Sequence, residues 1–213
     1  MDIYLKKQVA ILLILSFTLF LSSCIIPFKT RSHMRLCYSN LTDYSSSLNI
    51  NRIYTIQHNL TKLGQSEFKG IDQMMLFKDG LVVMNPFTPD NKIVHLRDPK
   101  STCESFSLIT QKQLKNFYHD GAWGLFKISN DTLVVQVFNG NVRYMLSDFY
   151  SLSTYKFKLI TFDSLQLVSM IHHDNKSGWK LKSSNVTSVV CNHHLTSGTA
   201  WVKREKWLYC NNK

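Results

Sequence analysis

From Trp123 to Thr161 the chain alternates short β-prone runs with turn signals, and that pattern leaves few folds open. Trp123 to Ile128 is aromatic and β-branched, Ser129-Asn130-Asp131 is a turn, and Thr132 to Phe138 is the next strand. Asn139-Gly140 then gives a hairpin signal that predicts a return over Val142 to Tyr150. Upstream, Arg52 to Ile56 opens the series, and a loop is expected through Gly64 to Gly70. Gln73 to Phe77 and Leu81 to Met84 flank the Lys78-Asp79-Gly80 turn. Asn85-Pro86 and Pro89-Asp90 mark a surface excursion, and Asp98-Pro99 stops a short strand over Ile93 to Leu96. Downstream, strands are expected over Tyr155 to Thr161, Leu165 to His172, Trp179 to Leu181 and Trp201 to Tyr209. Only Thr110 to Tyr118 reads helical, with Thr110 as cap and Gln113 at the capping-box position. Sequential strands with short turns and no alternating helices predict an antiparallel meander. About nine strands in one small domain need closure or stacking to hide their edges, hence a barrel or a sandwich.

The first residues have the three parts of an export signal: Lys6-Lys7, an apolar stretch from Val9 to Leu21, then small residues. Leu21-Ser22-Ser23-Cys24 resembles the lipobox of bacterial lipoproteins. The apolar run is shorter than the roughly 20 residues a bilayer span needs. The resemblance implies removal of residues 1–23, a diacylglyceryl group on the Cys24 thiol and a further acyl chain such as palmitate on its amino group. Residues 24–49 then read as a tether and 50–213 as a single β-domain. The residue after Cys24 is not Asp, which by the same resemblance implies the outer membrane, with the body facing the periplasm. Lys29, Arg31 and Arg35 in the tether suit either anionic headgroups or a solvated linker.

A formal net charge of +11, one unit of it from the signal, suits an anionic neighbour such as headgroups or acidic glycans. The basic residues are scattered, and an envelope address argues against nucleic acid. Four cysteines remain besides Cys24: Cys37, Cys103, Cys191 and Cys210. An even number in an oxidising compartment permits two disulfides in three connectivities, or free buried thiols. A hairpin favours Cys191 with Cys210, leaving Cys37 with Cys103. His172-His173-Asp174 and His193-His194 are the only groupings with metal-ligand chemistry. Neighbours on a strand point to opposite faces, so solvated loop histidines are expected and no metal or cofactor. There is no Gly-x-Ser-x-Gly elbow, His-Glu-x-x-His helix or phosphate loop, and Glu67, Glu104 and Glu205 stand isolated. No catalysis is expected. Asp131-Thr132-Leu133 and Asp163-Ser164-Leu165 resemble a bacterial O-glycosylation signal but read first as turns.

The run from Gly121 through Trp123, Phe126 and Asn130-Asp131 to Gln136 resembles a hairpin of small envelope lipoproteins with lipocalin-like or calycin-like β-meanders. Asn51-Arg52-Ile53-Tyr54 and Leu76 to Val82 are similar to the opening strands of that pattern. What this implies is a fold, a lipocalin-like barrel. Aromatic residues on the predicted strands, Phe126, Phe138, Tyr144 and Phe149 among them, either floor a pocket or fill the core. The expectation is a membrane-anchored domain that binds an apolar or amphipathic ligand (lipid, glycan or peptide) without catalysis. The alternative is an interaction subunit of an envelope assembly, docking through a sheet edge or basic face.

Overall fold

The structure, a computed structural model of the chain, describes residues 34–39, 43–50, 52–62, 66–85, 118, 122–139, 151–173, 180–191, 197–198, 200, 203 and 209–210. Eight strands make one antiparallel sheet: β1 (Arg52–Thr61), β2 (Phe68–Leu76), β3 (Leu81–Met84), β4 (Ala122–Ser129), β5 (Thr132–Asn139), β6 (Ser151–Thr161), β7 (Ser164–His172) and β8 (Lys180–Val190). Strands β1 to β6 each pair with the next, while β8 returns to the free side of β1. The sheet curls until its edges, β7 and β8, lie side by side. Across that seam two side chains bond to backbone: Ser184 Oγ donates to the Leu167 carbonyl at 3.1 Å and Ser188 Oγ to the Asp163 carbonyl at 3.3 Å. The result is a nearly closed barrel, one of the two closures that the meander pattern leaves open.

Alternation gives this sheet two cores. Tyr54, Ile56, Met74, Leu76, Phe126, Val135 and Phe157 point into the lumen and are almost wholly buried. Leu48 plugs one end of that lumen, with the Tyr44 ring 4.9 Å from Phe126. The opposite parity, Ile53, Met75, Val83, Trp123, Leu125 and Leu152, forms a second core on the outer wall. Met34, Leu36 and Tyr38 cover it, and Gln136 Oε1 holds them there by accepting from the Arg35 and Leu36 amides, both at 2.8 Å. The stretch read as a tether therefore belongs to the body from Met34 to Ser39 and again around Leu48.

Tyr38 from the early part of the chain and Ser197 and Lys203 from the late part meet at the β2–β3 turn, where Gly80 takes φ 83°, a region open to residues without a Cβ. Asp79 in this turn accepts from Lys203 Nζ at 2.7 Å, Ser197 Oγ at 2.6 Å and Tyr38 Oη at 3.2 Å. Tyr38 and Tyr209 form a parallel bridge, and Cys37 is bonded to Cys210. The expected Cys191–Cys210 and Cys37–Cys103 pairs are thereby overturned. The physical reason is that the two terminal segments run side by side over the outer core, whereas Cys191 follows the edge strand β8. Cys191 is itself disulfide-bonded. Cys24 and Cys103 lie outside the described residues.

Three local expectations are also corrected. The strand opposite β5 is 151–158, with Asn139 facing Ser151, and not Val142 to Tyr150. The alternating Ser153, Tyr155, Phe157 and Leu159 supply a lumen face, which outweighs the local Asn-Gly preference. β2 starts at Phe68, inside the predicted loop, because pairing with the long β1 carries it through Gly70. β8 runs to Val190, well beyond Leu181, although half-exposed polar residues dilute its alternation. The expected strands over Ile93 to Leu96 and Trp201 to Tyr209 and the Thr110 helix lie outside the described residues, except for Lys203, Tyr209 and a helical Tyr118.

Candidate functional site

Away from the Leu48 plug, the lumen changes from apolar to polar. His58 continues the inward face of Tyr54 and Ile56, and Asp72 that of Met74 and Leu76. Ser153 and Tyr155 occupy the inward face of β6, and His172 sits opposite Ser153 on β7. These side chains converge from four strands. Tyr155 Oη donates to Asp72 Oδ2 at 3.4 Å, and Asn85 Nδ2 donates to Asp72 Oδ1 at 2.9 Å. Asn85 ends β3 at φ 47°, a conformation asparagine tolerates better than most residues, and its Oδ1 accepts the Gln73 amide. The carboxylate is thus aimed into the lumen by a turn residue.

His58 is the least satisfied member. Its side chain is 4% exposed, and Nδ1 lies 3.8 Å from Asp72 Oδ2 without a hydrogen-bond partner. Leaving such a group unpaired costs about 1–3 kcal/mol. The ring has room only because residue 70 is glycine: a Cβ there would collide with His58 Nε2 and stand 3.1 Å from Phe68 Cε1. Phe68, half exposed, forms the rim beside it.

His172 Nδ1 lies 2.6 Å from Ser153 Oγ. Burial holds the His172 pKa below its ordinary value; nearby His58 adds to this and Asp72 opposes it. The imidazole is neutral at pH 7 and both donates and accepts. Burial, with Asp72 beside it, raises the Tyr155 phenol well above the usual range, so it stays protonated as a donor. The cluster therefore offers a carboxylate acceptor, a neutral imidazole and an unpartnered ring nitrogen. Ser153 is wholly buried, which closes its hydroxyl to a substrate. Among the described residues no three His, Cys, Asp or Glu side chains are grouped to hold a metal ion.

The aromatic residues singled out by sequence are not brought together. Phe126 lies in the lumen and Phe138 in the outer core, on opposite faces of the sheet. Tyr144, Phe149, Asp174, His193, His194, Glu104 and Glu205 lie outside the described residues. His172 and His173 point to opposite faces, His173 Nε2 lying 2.8 Å from Thr154 Oγ1 on the outer wall. Glu67 is ion-paired with Lys182. Asp131 and Asp163 both sit in hairpin turns, and Asp163 pairs with Arg52 at 3.0 Å. Sequence reasoning missed His58 and Asp72, and took Tyr155 only as one of the strand aromatics. The signal was present as a polar residue at an otherwise apolar parity, in Tyr54-x-Ile56-x-His58 and Asp72-x-Met74-x-Leu76.

The fold and this cluster define a small antiparallel β-barrel domain with one polar end. The chain matches no protein-family model, no curated protein and no solved structure.

Proposed function

We propose that this is an envelope lipoprotein, acylated at Cys24, held at the outer membrane and facing the periplasm, with a lipocalin-like barrel. Its body binds an amphipathic ligand at the polar end of the lumen and performs no chemistry on it. The observation that carries this reading is the polar cluster of buried His58 and Tyr155 with half-buried Asp72 and His172, His58 Nδ1 being unpaired. A folded core gains nothing from such groups unless something bonds to them. Because the lower lumen is filled by Val135, Phe157 and their neighbours, the ligand is held near the mouth. Its donor-bearing head, a hydroxyl or an amine, turns toward Asp72 and His58, and its apolar part lies against Phe68.

Native mass spectrometry of the full chain, released from membranes in mild detergent, tests this. A retained small mass is expected in the parent protein and absent from Asp72→Leu and His58→Leu. Identical spectra from all three overturn the reading.

A second reading, docking of another envelope component along a sheet edge, is favoured by the β7–β8 seam. There two serine hydroxyls bond to backbone carbonyls across the gap.

A further inference from the structure

The outer wall carries a second feature that the lumen does not use. Above the outer core, Trp123 and Leu152 are covered by the N-terminal segment, but the lower half of β4 to β7 is bare. In that half Lys127 faces Val134, Val134 faces Lys156, and Lys158 lies two residues further along β6 on the same side. The three lysines are exposed and have no acidic partner among the described residues. Ile160, Val168 and Ile171 stand among and beside them at 54%, 59% and 48% exposure. The register breaks in both strands here, at Ile160 in β6 and Val168 in β7. Among the described residues of β4 to β7 and their turns, the carboxylates are Asp131 and Asp163, both at hairpin tips, and Asp163 is already paired with Arg52.

We propose that this face rests on an anionic lipid surface, the lysines on headgroup phosphates and the three aliphatic side chains in the interfacial layer. The chemistry argues for lipid over protein or nucleic acid. Cations interleaved with aliphatic residues match a boundary that is charged above and apolar beneath. The outer wall of a barrel is convex, which gives contact area to a deformable sheet of lipid but no cleft to a peptide. The charge of the whole chain, +11, has the complementary sign. This inference is independent of the ligand reading and uses none of its residues.

The test uses the full chain with Val168→Trp, an exposed position, and vesicles containing brominated lipid. The readout is quenching of the added indole, taken as the difference from the parent protein. It reports the depth of this face whatever holds the N-terminus. Quenching is expected in vesicles with 30% phosphatidylglycerol and not in pure phosphatidylcholine, on the scale where each cation matters about tenfold or less. Lys127→Gln, Lys156→Gln and Lys158→Gln together are expected to weaken partition about a hundredfold, and Ile160→Ser with Ile171→Ser to weaken it further. Equal quenching in both vesicle types overturns the proposal, as does a triple lysine variant that binds unchanged. If soluble polyphosphate abolishes binding and the serine variants bind as the parent does, the face is a site for a dissolved polyanion and not for a membrane.

Discussion

Asp79→Ala removes the carboxylate on which Tyr38, Ser197 and Lys203 converge. Three donors lose their acceptor: Lys203 Nζ, Ser197 Oγ and Tyr38 Oη. A hydrogen bond to a charged group contributes about 1.5–3 kcal/mol, and the lower end applies here. The reason is that the Lys203 and Asp79 side chains remain 23% and 18% exposed, and Asp79 Oδ1 is itself buried without a partner. With about 1 kcal/mol for the weaker contacts together, the expected loss is about 3 kcal/mol. Against a total stability of about 5–15 kcal/mol this is large, and it moves a urea midpoint by about 1.5 M. Urea titration of the full chain with disulfides intact measures it. The pH dependence carries a second check. Burial pushes the Asp79 pKa up, but the bonds from Lys203 and Ser197 outweigh it and leave the value below the ordinary 3.8. A carboxyl depressed on folding contributes its stability above the unfolded pKa and loses it as pH falls through the folded one. The gap between parent and variant is therefore full at pH 7 and closes below about pH 4. A loss under 1 kcal/mol at neutral pH, or a gap undiminished in acid, refutes this account of the clasp.

Two further perturbations address the staple and the lumen. Cys37→Ser with Cys210→Ser opens a loop whose ends are 173 residues apart; the chain-entropy relation gives about 5 kcal/mol, seen as a fall in midpoint of at least 2 M urea. A change below 0.5 M contradicts it. Gly70→Val drives a side chain into His58 and is expected to cost about 1–3 kcal/mol. In a double-mutant cycle His58→Ala relieves at least half of that cost; strict additivity shows that the ring does not lie over residue 70.

Much of the barrel is legible in the sequence because its cause is local. Lys78-Asp79-Gly80 and Asn130-Asp131 sit where turn chemistry puts them, and Leu81 to Met84 and Thr132 to Phe138 have the composition of strands. What failed was long-range. The Asn139-Gly140 signal says that a turn is favourable but not which later segment completes the ladder. The Cys37–Cys210 bond depends on two segments that meet only after the sheet has curled. The lumen cluster lies between these cases. Its members His58, Asp72, Tyr155 and His172 are 14 to 114 positions apart, yet His58 and Asp72 each break the parity of their own strand. Reading polar residues at inward positions as a set, together with Gly70 opposite His58, finds it without coordinates. His173, by contrast, was correctly separated from His172 by alternation alone.

All eight strands lie between Cys37 and Cys210, so the barrel is threaded on a covalent ring. A load applied ahead of Cys37 hauls on that ring and does not draw the strands out one after another. Likewise, a protease that nicks a single loop inside it leaves two pieces that cannot drift apart. Such a closed circuit keeps mechanical pull and surface wear from becoming loss of the body.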